Sequence, residues 1–268
     1  MKILLTNDDS IHSPGLILLA EKLGQNHEVF VVAPRTEQSG VSQAITFLRP
    51  LFPEPIEGLS AASGINGYTV DGTPTDCVKL ALAHLCPWTP DLVVSGINNG
   101  LNVGTNVNYS GTVAGALAAG IMGITGMAVS AQFCQPTDFA SHVEILVPLI
   151  EQFAEVDLES PVVLNINLPT SALKGGAKVK VVPIEANPLG YRFEEGVDPK
   201  GRVHYWANCK PDPEPSPFDT DFSVLSEGCI SVSPLSTNLN TQKGIEAIAK
   251  IAERASAECS NFGKPANA

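Results

Sequence analysis

Two aspartates stand side by side at positions 8 and 9, directly after a short apolar run, in the stretch LLTNDDSIHSPG. Consecutive strand residues point to opposite faces, so both carboxylates converge only if the backbone turns there or a cation holds them. One reading is an Asx-type turn or a helix cap before Pro14. The other is a divalent-metal site. Asp8 and Asp9, an amide oxygen from Asn98 and a hydroxyl from Ser39 make an all-oxygen set that suits Mg²⁺ or Mn²⁺ and leaves positions for water and substrate.

Two further polar stretches carry candidate chemistry. Ser39 and Gly40 follow the apolar run ending near Ala33, and SGINNGLNVGTNVNYSGT follows a run ending at Ser95. From Asn98 to Ser110 the chain has five asparagines in thirteen residues, with glycines between them. Such residues tolerate left-handed backbone and let amides turn toward a ligand, and a loop of this length is long for a mere connection. It leads into SGTVAGALAAG, where the amides of Gly111 and Thr112 fall at a helix N-terminus suited to phosphate. Ser110 can serve that phosphate or simply cap the helix. Gly40, Asn98 and Asn102 complete the candidate phosphate and substrate contacts. His12, three residues past Asp9, is a candidate general acid or a solvated loop histidine.

These stretches need elements to position them. Lys2–Thr6 reads as a strand, Pro14–Leu23 as a helix stopped by Gly24, and Glu28–Ala33 as a second buried strand, which is a βαβ unit. In GTPTDCVKLALAHL, Thr73 is placed to cap a helix, Pro74 fits its first position and Asp76 completes a capping box. Then come a strand in DLVVSG, a helix from about Thr112 to Met122, a strand in GMAVSA, a helix around Phe139–Phe153 and a strand in VVLNINL. The alternation predicts an α/β fold, a Rossmann-like and mostly parallel sheet with helices on both faces. Ligands of such sheets bind beyond the carboxyl ends of the strands, the address shared by the three polar stretches.

Past Lys178 the texture changes to Pro, Gly and short β-like runs (VKVVPI, VHYWAN, CISVSP), expected to form hairpins projecting from the core. CKPDPEPSPFD is expected to be a loop, and a last helix is expected near Thr241–Ser256. The expected organisation is therefore a catalytic core over 1–177 and a β-hairpin extension with a C-terminal helix over 178–268, forming one continuous domain. Val203, Tyr205 and Trp206 make an apolar stripe too thin to bury itself, expected to be covered by another subunit.

Composition bounds the function. The 268 residues are 44% hydrophobic and 16% charged, enough apolar material to fold. A net charge of −12 with no Lys/Arg cluster argues against a nucleic-acid polymer or an anionic membrane as partner. No stretch reaches the ~20 apolar residues of a membrane span, and no signal peptide is evident, so a cytoplasmic protein is expected. Cys77, Cys86, Cys134, Cys209, Cys229 and Cys259 lie far apart without a CxxC, which reads as buried thiols and not as zinc ligands or a disulfide framework.

NDDSIHSPG, SGVSQAIT, DGTPTDCV, SGINNGLNVG, YSGTVAGA and the later YW and TDF segments, in order from Met1 to about Leu235, resemble the survival protein SurE family of metal-dependent nucleoside-monophosphate phosphatases. The resemblance implies a Rossmann-like core whose hairpin extension joins subunits into a dimer or tetramer. It also implies one divalent ion per subunit and hydrolysis of 5′-nucleotides, often 3′-nucleotides, and in some members short polyphosphate. The family's metal ligands fall on Asp8, Asp9, Ser39 and Asn98, the first two also carrying catalysis. It has no fixed residue at His12. Ser10 stands where the family usually has glycine, and Arg35-Thr36 where it usually has Asp-Arg.

Two other readings compete with a phosphatase. A phospho-accepting receiver domain also places an acid pair after its first strand, but it needs a third aspartate at the end of a central strand, where this chain has Ser95-Gly96-Ile97-Asn98. A metal-binding module without turnover is the other.

Overall fold

Lys2–Thr6 forms β1, and four of its five side chains are buried. Pro14–Leu23 forms α1 with Pro14 in the first turn, and Glu28–Pro34 forms β2, parallel to β1. The computed structural model describes residues 1–59, 64–156, 161–186, 191–209, 218–240, 245, 248–249 and 251–252. After β2 come β3 (Pro53–Ile56), β4 (Gly67–Val70), α2 (Pro74–Leu80) and β5 (Leu92–Asn99). These are followed by α3 (Gly111–Ile121), β6 (Thr125–Ala131), α4 (Phe139–Ala154) and β7 (Val163–Leu168). The remaining elements are β8 (Val179–Val181), β9 (Tyr191–Val197), β10 (Val203–Cys209), α5 (Asp221–Ser226) and β11 (Ile230–Leu235).

Nine strands make one sheet in the order β3-β4-β2-β1-β5-β6-β7-β11-β8. β4 through β7 run parallel to β1 and β2, while β3 and β11 run antiparallel to their neighbours β4 and β7. Leu16, Leu19 and Leu23 of α1 and Leu146 and Ile150 of α4 pack on Ile3, Leu5, Val31 and Val94 on one face. Cys77 and Val78 of α2 and Ala118 and Ala119 of α3 pack on Leu4, Val32 and Val93 on the other. Each such leucine or isoleucine taken from water stabilises the fold by about 1.5–3 kcal/mol. This is the doubly covered α/β sheet that the alternation implied.

The chain leaves β1 for β2 on one side and later returns to place β5 on the other, so the strand order reverses at β1. A crevice opens beyond the carboxyl ends of β1 and β5 at this switch point. Asp8 and Asp9 follow β1, and Asn98 lies at the end of β5.

The capping box of α2 is present: the Asp76 amide donates to Thr73 Oγ1 at 3.1 Å and the Thr73 amide to Asp76 Oδ2 at 3.0 Å. It does more than cap. The Thr46 hydroxyl donates to Asp76 Oδ2 at 2.7 Å and the Thr73 hydroxyl to the Ala44 carbonyl at 2.6 Å, which pins the segment that follows Ser39 and Gly40.

The structure corrects the expectation for the stretch after Lys178. Of the three β-like runs, only VHYWAN lies in a hairpin, paired antiparallel with β9 as a separate two-stranded sheet. VKV and ISVSPL complete the main sheet as β8 and β11, because β7 still offered an unpaired edge. Nor do Val203, Tyr205 and Trp206 share one stripe. Side chains alternate, so Trp206 faces away from Val203 and Tyr205, whose register partners Val197 and Glu195 share their face, with Phe193 opposite Ala207. Phe193, Val197, Val203 and Tyr205 are all more than half exposed.

The chain divides into Met1–Thr237 and Asn238–Ala268. In the second unit residues 245, 248–249 and 251–252 are helical, and the rest of the helix expected near Thr241–Ser256 lies outside the described residues, as do residues 210–217 of the expected CKPDPEPSPFD loop. Cys77, Cys86, Cys134 and Cys229 are free thiols. Among the described residues no helix is long and apolar enough to cross a membrane.

Candidate active site

The turn after β1 is set by Asn7. Its side chain is buried, donates to the Ser10 carbonyl at 2.8 Å and accepts from the Ser10 amide at 3.3 Å. Ser10 is thereby held at φ 111°, a conformation that glycine adopts at little cost and serine does not. This bend answers how two adjacent acids serve one place: the strand ends at Thr6 and both carboxylates leave a turn, not a pleat.

Asp8 is 4% exposed and is gripped from α3. The Thr112 hydroxyl donates to Asp8 Oδ1, and the Thr112 amide also points to this carboxylate. The Gln38 amide donates to the Asp8 carbonyl at 2.7 Å, which ties the Ser39 segment to the same point. Asp9 accepts from the amide of Asn99. A register shift between Ser95 and Asn98 brings the end of β5 to this position, and it depends on Gly96. At φ 140°, with a Cβ there falling 2.3 Å from the Val129 carbonyl oxygen, no other residue fits.

The electrostatics of the pair are those of an uncompensated negative site. Burial raises the carboxyl of Asp8, opposed by the hydrogen bonds from Thr112, with Glu37 adding to the rise. Burial first, then the charges of Asp8 and Glu37, push Asp9 up to about 6. Among the described residues, Asp8, Asp9 and Glu37 have no ion-pair partner. Asp9 Oδ2 is buried without a hydrogen-bond partner, a costly arrangement unless something else satisfies it.

The expected residues converge unevenly. Asp8, Asp9, Ser39 and Asn98 come to one end of the sheet. Ser39 is exposed, with its hydroxyl donating to Glu37 Oε1 at 2.7 Å. Asn98 Nδ2 donates to the Gly100 carbonyl at 2.8 Å, which leaves its Oδ1 as the end able to act as a ligand. Gly40 sits at φ 72° and is exposed. Ser110 Oγ caps α3 by accepting from the Val113 amide at 3.1 Å, and Thr112 is spent on Asp8. Gly111 lies against the same carboxylate: a Cβ there would stand 2.8 Å from Asp8 Cβ and 2.9 Å from Asp8 Oδ2. Asn102 is buried, its Nδ2 donating to Ser130 Oγ at 2.9 Å while Asn165 and Asn167 donate to its carbonyl. It anchors the loop from inside. His12 is exposed.

Among the described residues no group of three or more His, Cys, Asp and Glu side chains is placed to hold a metal ion. The candidate set has a different make-up: two carboxylates, an amide and a hydroxyl, all hard oxygen donors. With the orphaned oxygen of Asp9, that chemistry fits a Mg²⁺ or Mn²⁺ ion.

Sequence reasoning missed Glu37, the third carboxylate at the mouth. EQSG alone does not mark it; its position between the Gln38–Asp8 tie and the Ser39 hydroxyl does. It also missed Asn7, which a buried asparagine just before an acid pair could have signalled as the clamp of the turn.

The family model described as "Survival protein SurE" matches residues 3–189. The chain belongs to the SurE family. The 5′-nucleotidase SurE of Rhodopirellula baltica is 45% identical over 242 residues, 89% of this chain and 94% of the relative. The 5′-nucleotidase SurE of Syntrophobacter fumaroxidans is 41% identical over 253 residues, 93% and 99% of the two chains. The crystal structure of the SurE protein from Aquifex aeolicus superimposes with a TM-score of 0.79 at 32% identity and covers 94% of this chain and 100% of that one. Against the SurE pattern, Ser10 keeps a backbone suited to glycine. Arg35 pairs with Glu54 of the edge strand at 2.6 Å.

Proposed function

We propose that this chain is a divalent-metal-dependent 5′-nucleotidase that hydrolyses nucleoside monophosphates to nucleoside and phosphate. The observation that carries the reading is the buried acid pair at the switch point, with Asp9 Oδ2 unpartnered and Asp9 pushed up to about 6. The names of the relatives support the substrate class. The proposal extends to 3′-monophosphates and short polyphosphate as further substrates, to the cytoplasm as the setting, and to self-association through the β9–β10 hairpin.

Asp8, Asp9, Ser39 Oγ and Asn98 Oδ1 would hold one Mg²⁺ or Mn²⁺ ion. When bound, such an ion screens phosphoryl charge and acidifies a coordinated water. The protein's own part is positional. Thr112 fixes the rotamer of Asp8 with a hydroxyl and an amide, so the carboxylate does not reorganise as charge moves in the reaction. Gly111 lets α3 approach Asp8 closely, and Gly40, Asn98, Ser110 and Gly111 would face the phosphate from the two loops. Asn102 contributes to substrate binding by holding its loop in shape.

The receiver-domain alternative meets a specific obstacle. Ser95, where a phosphate-accepting acid would be needed, is fully buried. One experiment separates the two. Incubation with radiolabelled AMP in heavy-oxygen water should yield adenosine and phosphate, with the heavy oxygen in phosphate and no label on protein. An acid-stable phosphoprotein without free phosphate would refute the nucleotidase.

A further inference from the structure

We infer that Asp221, far in sequence from the acid pair, is a positioning residue for the substrate-side loop 100–110. It is fully buried, and its carboxylate joins its own helix turn to two other segments. Oδ2 accepts from the Gly104 amide at 2.8 Å, and Oδ1 accepts from the Glu185 and Phe222 amides, each at 2.8 Å. Gly104 belongs to the loop between β5 and α3, Glu185 lies on the approach to the β9–β10 hairpin, and Phe222 follows Asp221 in the first turn of α5.

The apolar side chains around it favour the same role. Phe222 and Leu225 of α5 pack with Leu101 and Val103, the residues just before Gly104. The loop is therefore gripped in three places: at Asn102 by Asn165 and Asn167, at Gly104 by Asp221, and at Tyr109, whose carbonyl accepts from the Ser42 amide at 2.9 Å. The last grip ties it to the Ser39 segment. Of the three, the Gly104 contact alone uses a carboxylate, and a buried hydrogen bond to a charged acceptor is among the stronger ones available. Asp221 touches none of the proposed metal ligands, so it acts on the loop and not on the ion.

This role rests on the nucleotidase reading for its kinetic consequence, but the geometry can be tested without substrate. In Asp221→Asn one oxygen becomes an NH₂ group that cannot accept, and the orientation that keeps the two amides on Oδ1, those of Glu185 and Phe222, turns that NH₂ toward the Gly104 amide and breaks its bond. The test compares wild type, Asp221→Asn and Ile150→Val, the last a core change in α4 that lowers stability without touching the loop. Hydrogen exchange should find the Gly104 amide of the wild type protected, and Asp221→Asn should expose it and its neighbours within 100–110. KM for AMP should rise about tenfold in Asp221→Asn with Mn²⁺ affinity within about twofold of wild type, and Ile150→Val should leave KM unchanged. An unprotected Gly104 amide in the wild type overturns the proposal even if Asp221→Asn fails to fold. So does an Asp221→Asn variant with wild-type exchange in this loop. If no chain hydrolyses AMP, the nucleotidase reading falls, while the exchange arm still decides the role of Asp221.

Discussion

The first turn of α3 holds Asp8: the Thr112 hydroxyl donates to Asp8 Oδ1, and Gly111 leaves the space that Asp8 fills. A helix N-terminus that reads from sequence as a phosphate cradle is therefore committed in large part to a carboxylate. Thr112→Val keeps the shape and removes the donor. It should weaken Mn²⁺ binding about tenfold, the usual scale for an outer-shell partner, as isothermal titration will measure. Gly111→Ala should weaken it at least as much, although alanine favours the helix by about 1 kcal/mol over glycine. Wild-type affinity in both variants would mean that Asp8 is not a ligand.

Ser10 sits at φ 111° in a turn clamped by Asn7. Ser10→Gly removes strain of about 1–3 kcal/mol in the folded state, offset in part by the greater freedom of glycine when unfolded. A net gain of about 1 kcal/mol in denaturant unfolding is expected, with kcat unchanged. A loss of stability would show that the Ser10 hydroxyl, which accepts from the His12 amide at 3.4 Å, matters more than the backbone.

What could be read from sequence was local. The β1–α1–β2 unit, the Thr73–Asp76 capping box and the start of α3 follow from periodicity and caps within a dozen residues. β3 and β4 did not stand out, since PEPI carries two prolines and becomes a strand only by pairing with the edge of β4. ISVSPL looked like one arm of a hairpin because nothing in its six residues says that its partner is β7. The adjacent acids stand out in the sequence as candidates by their spacing alone. The tasks of Asn102, Thr112 and Asp221 depend on contacts spanning roughly sixty to over a hundred residues of sequence, which no spacing encodes.

His142 on α4 is fully buried and neither ring nitrogen has a hydrogen-bond partner, with the Phe139 ring edge-on at 6.1 Å. Burial lowers its pKa from 6.5, opposed by Asp138. The unfolded chain thus binds a proton that the folded chain refuses. The resulting stability is fully present above about pH 6.5 and declines as the pH falls below that value. Asp9, pushed up to about 6, acts in the opposite sense over the lower part of this range. The decline is therefore read as the difference between thermal melts of wild type and His142→Leu from pH 5 to 7.5, wild type minus variant, which should shrink as the pH falls. An unchanged slope in the variant would contradict the assignment.

Phe193, Val197, Val203 and Tyr205 expose large apolar surface on one face of the β9–β10 hairpin, around Glu195, which accepts from the Tyr205 hydroxyl at 2.9 Å. If a second copy covers this face, Phe193→Ser with Val197→Ser should reduce the mass measured by light scattering at micromolar concentration. A wild-type monomer, or an oligomer indifferent to both changes, would argue against that interface.

The central claim is that the acid pair makes phosphomonoester hydrolysis depend on a divalent ion. Chelated enzyme should release no phosphate from AMP, and titrating Mn²⁺ should restore release along a saturable curve that ends near one ion per chain. Asp9→Asn at the same Mn²⁺ concentrations should stay near the baseline with its fold intact. Phosphate release that survives chelation, or that returns fully in Asp9→Asn, would contradict the assignment of this site.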